Sequence, residues 1–267
     1  MVVAFIGIGN MGSALAKGHL ARRPEAAASV RVFDVDAAKA ARFCEANGGT
    51  ACRTVEEAVQ GADSVVLAMK PQGLPDALAR LSPLLGKGTA LVSIAAGIPL
   101  ARLRALAGPA PTIARAMPNL CALVERSVTA VAFDGADAQV RGEVLRFFEG
   151  VGLALAVDEG QMDAVTGLSG SGPAYAFVLI EAFADAGVRL GLPRDAAIRM
   201  AAATLEGAGR MVLETGLHPA ALKDQVCSPG GTTIEGVRAL EEAGFRAAAI
   251  AAVSASAARA KELAGKG

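Results

Sequence analysis

The residues at 223–235, Lys-Asp-Gln-Val-Cys-Ser-Pro-Gly-Gly-Thr-Thr-Ile-Glu, are the ones in this chain best suited to hold a small anion. Ser228-Pro229-Gly230-Gly231-Thr232-Thr233 is a turn of small residues running straight into helix-compatible sequence. The first N–H groups of a helix have no partner within it and carry the positive end of its dipole. A carboxylate or phosphate is therefore stabilised there. An ordinary helix cap uses the same residue types, so the turn alone leaves both readings open.

A second constellation lies at the other end of the chain. Val2-Val3-Ala4-Phe5-Ile6 reads as a buried strand, Gly7-Ile8-Gly9-Asn10-Met11-Gly12 follows, and Ser13 to Ala21 reads as a helix. Strand, glycine turn and helix in that order are the context a dinucleotide fingerprint requires. Gly7 permits the tight turn, Gly9 lets the backbone approach a pyrophosphate, and Gly12 allows close helix-on-strand packing. Asp34 ends the second strand, 22 residues past Gly12. A carboxylate there accepts hydrogen bonds from a ribose 2′-hydroxyl and repels a 2′-phosphate. The same Asp34 also fits a turn or a helix cap. Asp36 adds to the repulsion, while Lys39 and Arg42 partly offset it. Ala68-Met69-Lys70-Pro71 and Ser93-Ile94-Ala95-Ala96-Gly97 fall at strand ends where open α/β sheets bind ligands, and the second leaves room for a flat ring. Arg115 to Asn119 ends a third strand.

The elements that must position these groups are legible in outline. Apolar runs at Val30–Phe33, Ser64–Ala68, Ala90–Ile94 and Thr112–Ala116 alternate with helical stretches, one opened by a capping box at Thr54-Val55-Glu56-Glu57. Ser127–Phe133 and Gly152–Val157 complete the set. This pattern predicts an α/β fold with a parallel, doubly wound sheet. From Glu159 onward only helices are expected: Gln161–Leu168, a break at Ser169–Pro173, Ala174–Leu190, Pro193–Glu214, a short helix after His218-Pro219, Thr233–Leu240 and Phe245–Leu263. The expected domains are 1–158 and 159–267. Apolar residues surround several of the later helices, which predicts a partner subunit.

The bulk numbers exclude several classes. The chain has 267 residues, 53% of them hydrophobic, with 26 basic and 26 acidic side chains. Such balance gives no field to attract nucleic acid or a membrane surface. Cys44, Cys52, Cys121 and Cys227 lack metal-ligand spacing, so no metal is expected, and they read as free thiols in a reducing cytoplasm. Met1–Ile8 is too short for a signal peptide and lacks a basic leader. A cytoplasmic enzyme with a small-molecule substrate is the expectation.

Asn10-Met11, Met69-Lys70-Pro71-Gln72, Ser93–Gly97, Arg115–Asn119, Ser169–Tyr175 and His218–Thr233, in this order, resemble pyrroline-5-carboxylate reductase from Val2 to about Leu263. The resemblance implies an N-terminal Rossmann domain that binds dinucleotide and a C-terminal all-helical dimerisation and substrate domain. It implies reduction of 1-pyrroline-5-carboxylate to L-proline by NADPH or NADH, in a homodimer that assembles further, commonly to a decamer. It places Gly7, Ile8, Gly9, Asn10, Met11, Gly12, Asp34, Ala68, Met69, Lys70, Pro71, Ala95, Ala96 and Gly97 around the cofactor. Asn119, Ser228, Gly230, Gly231, Thr232 and Thr233 fall to the substrate, and the Thr233 hydroxyl is the catalytic candidate, orienting the ring nitrogen. The chain departs from the family pattern at Leu120-Cys121, where Thr-Pro is usual, at Val55, where Asn is common, and at Asp34-Val35-Asp36, which leans toward NADH. A 2-hydroxy-acid dehydrogenase would instead need a lysine or histidine in the helical half; Lys223 is the candidate, with Lys261 and Lys266 further on. A nucleotide sensor without turnover would have no use for the carboxylate turn.

Overall fold

The computed structural model describes residues 2–264; Met1 and Lys266 lie outside them. Eight strands form one sheet: β1 (Val3–Ile6), β2 (Val30–Phe33), β3 (Thr50–Ala51), β4 (Ser64–Leu67), β5 (Ala90–Ser93), β6 (Thr112–Met117), β7 (Ser127–Asp134) and β8 (Gly152–Ala156). Their spatial order is β3-β2-β1-β4-β5-β6-β7-β8. The order reverses between β1 and β4, and a crevice at such a switch point is where doubly wound sheets take their ligands.

Side chains alternate between two cores. Ala4, Ile6, Val65, Leu67, Leu91 and Ile113 pack against α3 (Val55–Val59), α4 (Leu74–Leu81) and α5 (Leu100–Ala107). Val3, Phe5, Val66, Val92 and Ala114 pack against α1 (Asn10–Arg22), α2 (Ala37–Asn47) and α6 (Ala138–Glu149). Both faces are covered, which is why the strands read as continuous apolar runs rather than alternating ones.

The sheet is not wholly parallel, as its pattern had predicted. β6 and β7 pair antiparallel, Ile113 opposite Asp134 and Met117 opposite Ala130, while β7 and β8 are parallel. The cause is the connection. A parallel return needs a crossover of roughly a dozen residues or more. Residues 118–126 hold only a 3-10 turn, Leu120–Val124, so the chain doubles back. The capping box at α3 is also altered. Thr54 Oγ1 accepts the Glu57 N–H at 3.1 Å, but the Glu57 carboxylate turns to the Arg53 N–H at 2.8 Å.

Contacts divide the chain into two compact units: residues up to Ser171 with those from Ala255 onward, and Gly172–Ser254. The first unit includes a short helix α7 (Met162–Val165) and a π turn, Thr166–Gly170, closed by Ser171 N–H donating to Thr166 O at 2.9 Å. The π turn overlaps the break expected at 169–173 at Ser169 and Gly170 and begins three residues earlier, and Pro173 falls in the first turn of α8 (Gly172–Arg189), where its missing N–H costs nothing.

The second unit holds α8, α9 (Arg194–Thr215), α10 (Pro219–Val226), α11 (Thr232–Glu242) and the first part of α12 (Phe245–Ala264). Gly216 ends α9 with φ +65°, and His218 caps α10 through Nδ1, which accepts the Ala220 N–H at 3.2 Å. Among its residues only Ala184, Ala197 and Ala201 are buried. Phe177, Val178, Leu213 and Ile250 are exposed. A helical unit whose buried side chains are three methyl groups has little core of its own, and its apolar surface calls for a partner. Among the described residues no helix is long and apolar enough to cross a membrane.

Candidate functional site

The glycine loop between β1 and α1 shows which of its glycines the fold itself demands. Gly7 has φ +99°, and a Cβ there would lie 2.5 Å from Ala68 O. A Cβ on Gly12 would lie 2.3 Å from Gly7 O. Both are required by protein atoms. Gly9 is different: its backbone is extended, and nothing stands within 4 Å of where its Cβ would be. Gly9 caps α1 with no side-chain acceptor, and no acidic residue occupies the first turn. Open space over unpartnered N–H groups at a helix start fits a pyrophosphate.

Asp34 closes the loop from the side. Its Oδ2 accepts the Ile8 N–H at 2.8 Å and its Oδ1 accepts the Asp36 N–H at 3.0 Å. Ile8 has its side chain in the core and its amide on Asp34, so its part is structural. Gly7–Gly12, Asp34, Ala68–Pro71 and Ala95–Gly97 follow β1, β2, β4 and β5, four adjacent strands. The sheet thus gathers all the expected cofactor residues along one edge. Ala95 is buried in the core, whereas Ala96 is exposed. A cavity of about 530 Å³ opens here, lined among others by Pro71, Ala96, Gly97, Arg115, Asp163 and Thr166. Lys70 is exposed. Val55 lies in the core, 2% exposed, so it presents nothing to a nucleotide.

Asn119 is 7% exposed and hydrogen-bonded at both ends of its amide. Its Nδ2 donates to Ser169 O at 2.9 Å, and its Oδ1 accepts the Cys121 N–H at 3.1 Å. It therefore ties the end of β6 to the π turn. Gly170 packs on the end of β6, since a Cβ there would meet Met117 Cε at 2.8 Å. The departure at Leu120-Cys121 falls in the 3-10 turn that Asn119 caps.

One pairing that carries weight here was missed from sequence: Arg115, named there only as the start of a strand-end segment, is 8% exposed on β6 and pairs with Glu159 at 3.2 Å. An arginine inside an otherwise apolar strand was the available signal, because a charge at that depth needs a partner.

Ser228–Thr233 belong to the second unit. Gly231 N–H donates to Ser228 O at 3.0 Å, closing the turn, and Gly230 has φ +68°. A Cβ on Gly231 would strike Ser228 Oγ at 2.2 Å. α11 follows with Gly231 as its cap and no side-chain acceptor on the first N–H groups. The acidic residue of its first turn, Glu235, is engaged by Arg238 at 3.0 Å. The arrangement is open and positive, as an anion anchor needs.

The comparisons decide the family. A pyrroline-5-carboxylate reductase of Escherichia coli K12 is 43% identical over 253 residues, 94% of this chain and 94% of that protein. The chain belongs to the pyrroline-5-carboxylate reductase family. A family model described as pyrroline-5-carboxylate reductase dimerisation matches residues 159–263, and one described as NADP oxidoreductase, coenzyme F420-dependent, matches residues 2–97. The solved structure of the family member from Coxiella burnetii superposes with TM-score 0.94 at 33% identity, covering 98% of this chain and 97% of that one. The Plasmodium falciparum member, solved with NADP bound, gives TM-score 0.86 at 28% identity over 99% of this chain and 98% of that one. The dimerisation match falls on the helices that leave Phe177, Val178 and Leu213 exposed, and supports self-association there.

Proposed function

We infer that this chain is an oxidoreductase that reduces 1-pyrroline-5-carboxylate to L-proline, the last step of proline biosynthesis. Family membership over nearly the whole chain carries the reading, and the uncapped turn Ser228–Thr233 supplies the matching chemistry. NADH or NADPH, when bound, supplies the hydride. Amides of Gly230, Thr232 and Thr233 anchor the substrate carboxylate, and the Thr233 hydroxyl orients the ring nitrogen; the Gly231 amide, expected among the anchors, is instead spent on the Ser228 carbonyl that closes the turn. An imine nitrogen protonates readily in water, and the cationic iminium carbon accepts hydride well, so little acid–base machinery is required. The protein's contribution is positioning.

The cofactor residues fit a dinucleotide: Gly9 leaves room over the α1 start, Asn10 and Met11 lie in its first turn, and Ala96 and Gly97 border the cavity for a flat ring. Asp34 favours NADH over NADPH, since its carboxylate would face a 2′-phosphate. We place the dinucleotide domain at 1–158 and the helical dimerisation and substrate domain at 159–267. The working form is a homodimer, with assembly of dimers into a decamer as the further expectation. The cell compartment is the cytoplasm, consistent with four free thiols; burial raises the Cys44 and Cys52 pKa, which keeps both protonated and unreactive.

Lys223 speaks against a hydroxy-acid dehydrogenase. Asp224 binds its ammonium at 2.7 Å, and that hydrogen bond raises the lysine pKa, away from what a proton acceptor needs. The test is absorbance of each reduced dinucleotide with pyrroline-5-carboxylate present. Oxidation above an imine-free control is expected; none with either dinucleotide rejects the reading.

A further inference from the structure

Helix α5 begins without a cap of its own. Pro99 occupies the capping position and offers no side-chain acceptor. The acceptor comes from far along the chain, where Glu159 Oε1 takes the Leu100 N–H at 2.6 Å and the Arg115 guanidinium at 3.2 Å. One carboxylate thus ties the first turn of α5 to β6 and to the chain just after β8. The loop from Ala95 to Ile98 is strung between β5 and that first turn. At its β5 end, Ser93 Oγ accepts the Ala95 N–H at 3.3 Å. At its far end, Glu159 fixes where the helix starts. Ala96, Gly97, Ile98 and Arg115 all line the 530 Å³ cavity.

We propose that Glu159 is a positioning residue for hydride transfer: its reach to Leu100 N–H sets the placement of Ala96 and Gly97 beside the nicotinamide. The role rests on the dinucleotide reading of that loop. It is a matter of reach more than of charge. Glu159→Gln keeps an oxygen at the same length, and Glu159→Asp keeps the charge but withdraws it by one methylene. A nicotinamide displaced by a fraction of an ångström slows the chemical step while the adenosine end still binds.

The experiment measures turnover of the full-length protein per bound dinucleotide, the bound fraction being set by fluorescence titration. It also measures the primary deuterium isotope effect with dinucleotide deuterated at the transferred position. E159D should lower kcat about 10- to 100-fold, raise the isotope effect and leave dinucleotide Kd within about 3-fold. E159Q, whose amide oxygen still accepts from Leu100 and Arg115, should stay within about 3-fold of wild type on all three, the loss of the counter-charge to Arg115 appearing as a lower thermal midpoint. E159S, which also removes the reach, stands in if E159D does not fold. Wild-type kinetics in the short variant overturn the proposal, as does equal impairment in E159Q, or lost turnover without a larger isotope effect. Wild-type protein inert toward the imine would instead reject the reductase reading, so the two failures are distinct.

Discussion

The carboxylate of Asp34 holds the amide of Ile8 at 2.8 Å, so the end of β2 is latched to the middle of the glycine loop. The residue that would select the cofactor also shapes the cradle that holds it. Each oxygen of Asp34 accepts one backbone N–H, and each keeps a lone pair for a ribose hydroxyl.

These roles separate by substitution. Asp34→Asn keeps an acceptor for Ile8 and removes the charge; Asp34→Ser removes the charge and shortens the reach. Both should raise the NADPH-to-NADH ratio of kcat/KM, by about 10-fold for the loss of one close like-charge contact. Asp34→Ser should also lose activity with both cofactors, since the loop is released. An unchanged ratio in both variants means Asp34 does not face the ribose.

The glycines make a second separation. Gly12→Ala forces a methyl to 2.3 Å from Gly7 O and should destabilise the fold by about 1–3 kcal/mol. Gly9→Ala meets no protein atom within 4 Å. It should leave the thermal midpoint within a few degrees while weakening dinucleotide binding about 10-fold or more. Thermal unfolding and fluorescence titration read the two effects. A Gly9→Ala protein that binds normally would show that no pyrophosphate approaches there.

The sequence carried the sheet better than it carried the contacts. Seven strands end within a residue of where their apolar runs predict; for those covered on both faces little is left to ambiguity, and β8, whose Leu153 and Leu155 are exposed, was found from its apolar run alone. β3 was missed, since two edge residues, Thr50 and Ala51, make no pattern. The reversal at β7 was legible in principle from the short stretch after Met117, but run composition says nothing of direction. At the site, the glycine spacing announced the loop. The bond from Asn119 to Ser169 did not announce itself, because it depends on a π turn that no local periodicity encodes. Glu159 as the cap of α5 was equally hidden, being 59 residues away in sequence.

Acid should find a weak point at His19. It is 5% exposed, packed beside the Phe147 ring at 5.4 Å, and burial followed by the charge of Arg23 lowers its pKa below the usual 6.5. The unfolded chain therefore binds the proton more readily than the folded one. Stability owed to neutral His19 is complete above pH 6.5 and is lost as pH falls from there through the lowered folded pKa. His19→Gln should flatten that part of the stability–pH curve, measured by urea unfolding between about pH 4 and 8. An unchanged slope would show that His19 is not the group responsible.

Thr233 gives the sharpest test of the chemistry. It is the second residue of α11, half-buried, and among the described residues its hydroxyl makes no hydrogen bond. Neither core packing nor a cap explains a threonine here, since Gly231 holds the capping position. On the proposed reading, in which the neighbouring amides take the substrate carboxylate, a hydroxyl kept free at this helix start would meet the ring nitrogen next to that carboxylate. An unperturbed alcohol is a poor acid, so the part proposed for it is orientation. Thr233→Ala should then lower kcat about 10- to 100-fold, the worth of one hydrogen bond made in the transition state. KM should move little, because the amides still bind the acid group. Thr233→Ser keeps the hydroxyl and should recover most of the rate. If alanine lowers affinity with kcat intact, the hydroxyl binds substrate and transition state alike. If alanine changes neither, the ring nitrogen finds its partner elsewhere.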